Sequence, residues 1–331
     1  MKIFITGATG FVGQHLVRRL IKNSSHRITC LVRKGSSGRS ELEKLGVSTL
    51  CGDLSNQIFL EKELLDADVV YHLAGSVFSK DKAEIYRTNV EGSETLYRAL
   101  HNTSVKRFIF LSSMAAVGCS KNKQPVTETQ RPSPLSFYGR SKRLAEMRLK
   151  ELWGEIKKPI CVIRCPLIYG VGMSLESRLF AVADRLKRGQ LKLIGRGGNK
   201  ISLCQIDNLV DFLVSIPNLS SVEYEVFHIA DLGSFELREL VAKMAQYINS
   251  QAELTKIPKV VAMGVAALLD GIRIFSPIAS DLTLEHVREL SNDWIVSIDK
   301  AMRYGYSPRK DWESKLKETL SWYLSEGLRN K

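Results

Sequence analysis

Gly7, Gly10 and Gly13 stand at equal intervals between a short apolar run, Lys2-Ile3-Phe4-Ile5, and a stretch in which Val12, Leu16, Val17 and Leu20 carry helical spacing. A strand that turns sharply into a helix accounts for each glycine. Gly7 allows the bend, Gly10 lets backbone N–H groups approach an anion, and Gly13 lets the helix lie close to the strand. The helix that opens at Phe11 and Val12 then presents its free N–H groups and the positive end of its dipole. Glycine triplets are also ordinary turn material; it is the placement between strand and helix that predicts a dinucleotide pyrophosphate cradle.

Strand and helix signals alternate after this turn. Apolar runs at 27–32, 47–51, 67–73, 107–111 and 159–164 read as buried strands, and helical patterns at 40–45, 85–100 and 138–152 fall between them. That alternation predicts an α/β fold with a doubly wound parallel sheet covered on both faces. Beyond about residue 169 helical segments dominate, at 175–186, 235–248 and 311–324. The chain therefore divides into a nucleotide-binding domain over 1–168 and a smaller, mostly helical C-terminal substrate lobe over 169–331, interleaved with the first. With 331 residues, 44% of them hydrophobic, there is enough apolar surface for a large core.

A net charge of +13 invites an anionic partner, but no nucleic-acid module or interleaved aromatic platform accompanies it, so nucleic-acid binding is not expected. Arg185, Lys187, Arg188, Lys192, Arg196 and Lys200 form one local cluster, readable as a solvated surface or as a clamp for substrate phosphates. The six cysteines show no paired metal spacing and several lie in apolar runs, which suits buried reduced thiols, a cytoplasmic location and no metal. The first strand begins at once, leaving no room ahead of it for a secretion signal. The longest apolar stretch, 260–269, is followed by Asp270 and Arg273 and falls short of the roughly 20 residues that span a bilayer. It reads as a packed or pocket-covering helix, with peripheral membrane contact as the alternative.

The end of the second strand carries the next nucleotide signal, Leu31-Val32-Arg33-Lys34. NAD enzymes of this architecture place an acid there for the ribose hydroxyls, whereas Arg33 and Lys34 would pair with a 2′-phosphate. NADP(H) is favoured and NAD(H) is the alternative; a solvated basic loop is the reading without a ligand.

The order of motifs resembles that of the extended short-chain dehydrogenases/reductases. The residues that carry the resemblance are the glycine turn, Gly52-Asp53-Leu54, His72-Leu73-Ala74-Gly75, Asn89-Val90-Glu91-Gly92, Leu111-Ser112-Ser113, Tyr138-Gly139-Arg140-Ser141-Lys142 and Arg164-Cys165-Pro166-Leu167-Ile168-Tyr169-Gly170. The closing segment from Ser297 to Trp322 is similar to the 3β-hydroxysteroid dehydrogenase-like and dihydroflavonol reductase-like branch. The resemblance implies a Rossmann-type fold, a homodimer through the helices at 85–100 and 138–152, and a small-molecule substrate. It also implies that Asp53 bonds the adenine with Leu54 beside it, that Leu73, Ala74 and Gly75 let the backbone pass close to the cofactor, and that Pro166, Leu167 and Ile168 line the nicotinamide face. Asn89 either contacts the cofactor region or stabilises its own helix.

Tyr-x-x-x-Lys occurs twice, at Tyr138 and Lys142 and at Tyr306 and Lys310. The spacing puts phenol and ammonium on one helical face, where the cation favours the phenolate. Pro308 opposes a helix through the second copy, so Tyr306 reads as a packing residue. Tyr138 is then the candidate acid/base, Lys142 lowers its pKa and holds the nicotinamide ribose, and Ser113 orients the reacting oxygen. Ser112, pointing the other way along an extended segment, is the fallback and a candidate cofactor contact. Met114-Ala115-Ala116 stands where sugar-nucleotide dehydratases carry an Asp-Glu pair, and Val117-Gly118 lacks the tyrosine common among sugar epimerases. The departures favour carbonyl reduction on a largely apolar substrate, with a nucleotide-sugar 4-epimerase holding NAD tightly as the alternative. Segments 76–80, 114–119, 169–174 and the helix from 260 are expected around the pocket.

Overall fold

Ile3 and Ile5 pack to one side of their strand and Phe4 to the other, and all three are buried, so this strand must lie inside a sheet covered on both faces. The computed structural model describes residues 1–331 apart from 23–24, 78, 80, 221, 252–253, 274–282 and 327–331. The central strands are β1 (Lys2–Thr6), β2 (Arg27–Val32), β3 (Ser48–Cys51), β4 (Val69–His72), β5 (Arg107–Ser113) and β6 (Ile160–Cys165). Short strands follow: β7 (Leu167–Tyr169), β8 (Lys192–Ile194), β9 (Lys200–Ile201), β10 (Leu203–Gln205), β11 (Tyr224–His228), β12 (Phe235–Glu236) and β13 (Thr255–Ile257). Among the described residues, seven strands make one parallel sheet in the order β11-β6-β5-β4-β1-β2-β3.

The helices of the first part are α1 (Phe11–Leu20), α2 (Arg39–Lys44), α3 (Gln57–Leu64), α4 (Lys82–Tyr86), α5 (Gly92–Arg98) and α6 (Phe137–Ile156). Those that follow are α7 (Arg178–Lys187), α8 (Ile206–Ser215), α9 (Leu237–Tyr247), α10 (Lys259–Arg273), α11 (Leu284–Ser291), α12 (Asp299–Arg303) and α13 (Trp312–Glu326). Leu16, Val17 and Leu20 of α1 share one core with Leu209, Phe212 and Leu213 of α8, while Leu60, Leu96, Tyr97, Ala145 and Leu149 from α3, α5 and α6 fill the other face. The strand order reverses direction at β1, which has β2 on one side and β4 on the other. A crevice opens beyond the carboxyl ends of the strands at such a point, and ligands bind there.

The sheet continues past residue 168. β11 pairs with β6 over Tyr224↔Ile160 to His228↔Arg164, and α8 packs beside α1. Strand β11 escapes a sequence reading because its first three residues are only half-buried, leaving no continuous apolar run. The helix expected over 85–100 is interrupted: α4 and α5 are joined by a π-helical turn at Arg87–Glu91. The C-terminal lobe packs α7, α9 and α13 around Phe180, Met244, Leu316 and Leu320.

Candidate active site

The glycine turn leaves no room for side chains. Gly7 has φ +73°, and a Cβ there would lie 2.5 Å from Ala74 N; a Cβ on Gly13 would lie 2.2 Å from Gly7 O. α1 begins at Phe11 with Gly10 as its cap, no side-chain cap and no acid in its first turn. Its first N–H groups therefore face the crevice without a competing anion, which fits a pyrophosphate. Phe11 and Val12 are half-buried; the Phe11 ring meets His15 edge-on at 5.2 Å between centroids and reaches Gly170 at the start of the C-terminal lobe.

Arg33 and Lys34 lie exposed beyond β2, and the loop that follows turns through a bond from Ser36 N to Arg33 O (3.1 Å). Gly38 brings that loop against Thr9 of the glycine turn, where a Cβ would stand 3.0 Å from the threonine Cβ. Asp53, beyond β3, accepts Ser55 N at 2.8 Å. Its carboxyl is held below the usual carboxylate range chiefly by its Ser55 bonds and further by the Arg33 guanidinium nearby. Leu54 packs over Gly92. Leu73, Ala74 and Gly75 thread between the two halves of the crevice: Leu73 N bonds Thr6 O at 3.1 Å, and a Cβ on Gly75 would lie 3.2 Å from Lys142 Nζ.

Ser113 closes β5. Its Oγ accepts Ala115 N at 3.1 Å, tightening a 3-10 turn at Met114–Ala116, and its side chain lies within bonding reach of the Tyr138 phenol. α6 starts next to that turn because Ser136 caps it, accepting Gly139 N at 3.1 Å, and because Gly139 has no side chain. A Cβ on Gly139 would stand 2.3 Å from Ala115 O. Gly139→Ala should therefore push the first turn of α6 away from Ser113 and lower turnover by about 10²-fold, the penalty of misplacing a reacting group by an ångström. Steady-state kinetics on a variant with native circular dichroism checks this; an unchanged kcat would contradict it.

Lys142 follows Tyr138 by one helical turn, is buried, donates from Nζ to Leu111 O at 2.9 Å and sits 4.8 Å from the Phe110 ring centroid. Burial pushes its ammonium down to about 8, against the pull of the Glu146 carboxylate, which favours the charged form. Burial raises the Tyr138 phenol to about 12, and the Ser113 bond opposes that rise. The lysine is thus protonated below about pH 8 and loses its charge above it. The charge that Lys142 can offer a bound cofactor or a phenolate is present only in the protonated form, so kcat/KM for the dinucleotide should fall as pH rises through about 8. A pH–rate profile that stays flat through the alkaline range would contradict this.

Asn89, inside the π-helical turn, ties the site together. Its carbonyl accepts Ser76 N (2.8 Å), and its amide donates to Ser76 O (3.0 Å) and Ser141 Oγ (3.0 Å). It thereby fixes the loop after Gly75 to α6. His72 lies buried between Thr6 Oγ1 (2.7 Å) and Ser93 Oγ (2.8 Å). Because Ser93 donates its proton to Asn89 O (2.7 Å), the hydrogen-bond pattern assigns the His72 proton to Nε2, with Nδ1 accepting from Thr6. Burial, with the Lys142 charge nearby, lowers His72 to about 3, so it stays neutral.

Ser112 points away from this group. Its Oγ donates to Glu146 Oε1 at 2.6 Å, because alternation along β5 sends its side chain to the opposite face from Ser113. There Arg164 on β6 grips Glu146 through Nε (2.9 Å) and Nη2 (2.7 Å), both residues buried, with His228 at 3.5 Å from Arg164 Nη1. Sequence reasoning quoted Arg164 within a motif but missed Glu146 and the pairing of the two; the available signal was Glu146 one further turn beyond Tyr138 and Lys142 on α6.

Pro166, Leu167 and Ile168 are half-buried just past β6, where β7 pairs with β10. Tyr306 is buried, bonds Ala230 O at 2.8 Å and packs edge-on against Phe212, while Lys310 is exposed outside any helix. Phe78 and Lys80 of the expected pocket segment lie outside the described residues. Among the described residues no group of three or more His, Cys, Asp or Glu is placed to hold a metal ion.

Residues 3–230 match the NAD dependent epimerase/dehydratase family. The UDP-glucose 4-epimerase of Vibrio cholerae is 30% identical over 270 residues, covering 77% of this chain and 78% of the relative. The 2-alkyl-3-oxoalkanoate reductase of Stenotrophomonas maltophilia is 26% identical over 337 residues, covering 96% and 98%. Among solved structures, UDP-glucuronic acid 4-epimerase from Bacillus cereus in complex with NAD superposes with a TM-score of 0.78 at 20% identity, covering 98% of this chain and 99% of that one. With seven parallel strands among the described residues and the glycine turn at the switch point of the sheet, the chain belongs to the NAD dependent epimerase/dehydratase family, among the extended short-chain dehydrogenases/reductases.

Proposed function

We propose that the chain is an NADP(H)-linked oxidoreductase that interconverts a ketone and a secondary alcohol on a small, largely apolar substrate. A bound nicotinamide dinucleotide supplies or takes up the hydride. In the reducing direction Tyr138 gives its phenolic proton to the carbonyl oxygen, Ser113 donates a hydrogen bond that orients that oxygen, and Lys142 stabilises the phenolate left behind. In the oxidising direction the phenolate removes the alcohol proton. The turn after Ser113 carries Met114 and Ala116, both buried and neither able to move a proton, which speaks against dehydration. Half-buried Pro166, Leu167 and Ile168 suit an apolar wall.

The observation that carries the cofactor reading is the pair Arg33 and Lys34, exposed beyond β2 on a loop folded against the glycine turn. A 2′-phosphate there gains charge-assisted bonds that a plain ribose does not. Arg33→Asp should raise the NADPH dissociation constant by about 10–100-fold, the worth of one or two such bonds, and change that of NADH far less. Fluorescence titration with both nucleotides checks it, and equal effects on the two would contradict it.

A second reading, a nucleotide-sugar 4-epimerase with retained NAD, draws on the likeness to the Vibrio cholerae enzyme. The basic cluster supports it less: Arg185, Lys187 and Arg188 lie exposed at the last turn of α7, and Lys192, Arg196 and Lys200 are exposed beyond it.

A further inference from the structure

α10 buries one side and leaves another apolar side open. Ala262 and Ala266 pack with Val287 of α11, and Ile194, Ile257 and Leu284 close around them. Val261, Val265, Leu268 and Ile272 recur at helical spacing on a different face and are exposed, Leu268 at 65%, while Val260 at the first turn is 81% exposed. A helix apolar on both faces belongs in apolar surroundings on both, and the exposed stripe is continuous along three turns. Water is a poor neighbour for it.

The charges around the stripe show what kind of neighbour fits. Lys256 and Lys259 are exposed where the chain enters α10, and Lys192 is exposed on β8, opposite Thr255 in the pair that leads into the helix. Lys121, Lys259 and Asp293 all act on the Cys119 thiol, so a further cation borders the same end together with one carboxylate. Of the nearby carboxylates, Glu285 pairs with Arg140 and Glu289 with Arg178, while Asp270 and Asp293 accept the backbone N–H groups of Leu284 (2.9 Å) and Lys200 (2.6 Å) and keep their charge. An exposed apolar stripe with a lysine border on a chain of net charge +13 complements a surface that is apolar below and anionic above. A bilayer containing anionic lipid has that profile. No described helix is long and apolar enough to cross a membrane, which fits a helix lying in the interface.

We propose that α10 docks the protein on anionic membrane surfaces, with Val261, Val265, Leu268 and Ile272 among the upper acyl chains and Lys192, Lys256 and Lys259 at the headgroups. The inference is independent of the substrate and cofactor proposed above.

Sedimentation of the full chain with phosphatidylcholine vesicles, with and without phosphatidylglycerol, tests it. Binding should require phosphatidylglycerol. Val265→Ser combined with Leu268→Ser should lower the partition coefficient by about tenfold or more at an unchanged melting temperature, and Lys256→Gln with Lys259→Gln should lower it about tenfold. Absence of sedimentation with either vesicle would overturn the proposal. So would binding that the serine variant leaves intact, since the basic surface alone would then account for it. Light scattering that shows the serine variant as a monomer and the parent as a larger assembly, with no vesicle binding by the parent, would overturn it in favour of a second copy covering the stripe.

Discussion

Tyr138→Phe is expected to lower turnover by about 10²–10⁴-fold, the range that general acid–base catalysis contributes, while the dinucleotide still binds. The phenol is the group in contact with Ser113, one helical turn from the buried Lys142 ammonium, and phenylalanine keeps the ring's packing while removing the proton. His72 cannot replace it, because burial holds it neutral and both its nitrogens are engaged by Thr6 and Ser93. Single-turnover kinetics with saturating cofactor separates the chemical step from binding. A rate within a few-fold of the parent would remove Tyr138 from proton transfer, whatever the substrate.

Glu146→Ala should destabilise the fold by about 3–5 kcal/mol, the cost of leaving a buried charge without its partner. Arg164 would lose both bonds to the carboxylate, and Ser112 Oγ would lose its acceptor, with neutral His228 as the remaining close neighbour. The pair need not be worth that much in itself, since its desolvation opposes its attraction. Glu146→Met combined with Arg164→Met should therefore recover much of the loss. Urea melts of the three proteins decide between these readings; a double variant no more stable than Glu146→Ala would point to packing rather than to the uncompensated charge. Glu146→Gln keeps the shape and removes the carboxylate charge that favours protonated Lys142, so the alkaline limb of its pH–rate profile should move to lower pH.

The nucleotide-binding half was legible because its signals are local. Gly7, Gly10 and Gly13 stand within one turn of chain, and β1, β2, β4, β5 and β6 are largely apolar runs that a parallel sheet buries on both faces, whereas β3, read as buried, is a part-exposed edge strand. Ser113, Tyr138 and Lys142 were singled out through motif order, and the fold sets Tyr138 and Lys142 one turn apart on α6 beside the end of β5. Glu146 and Arg164 could not be paired from sequence, since one lies on α6 and the other on β6 and nothing local marks them as partners. β11 was hidden for a related reason: an edge strand with half-buried residues has no run to read, and its place beside β6 is a long-range contact. The π-helical turn that aims Asn89 also leaves no compositional trace, because it depends on the bonds from Asn89 to Ser76 and Ser141 across the fold.

The central claim is that the dinucleotide is an exchangeable NADP(H) consumed by reduction of an apolar ketone. Its most direct test is to denature the freshly purified chain, identify any released nucleotide, and follow NADPH absorbance as the native protein meets a panel of alkyl and cyclic ketones. The account predicts no stoichiometric NAD in the extract and ketone-dependent loss of NADPH absorbance that Tyr138→Phe abolishes. Stoichiometric NAD released from the parent chain, with no NADPH consumed on any ketone and interconversion of a nucleotide sugar without added cofactor, would contradict it.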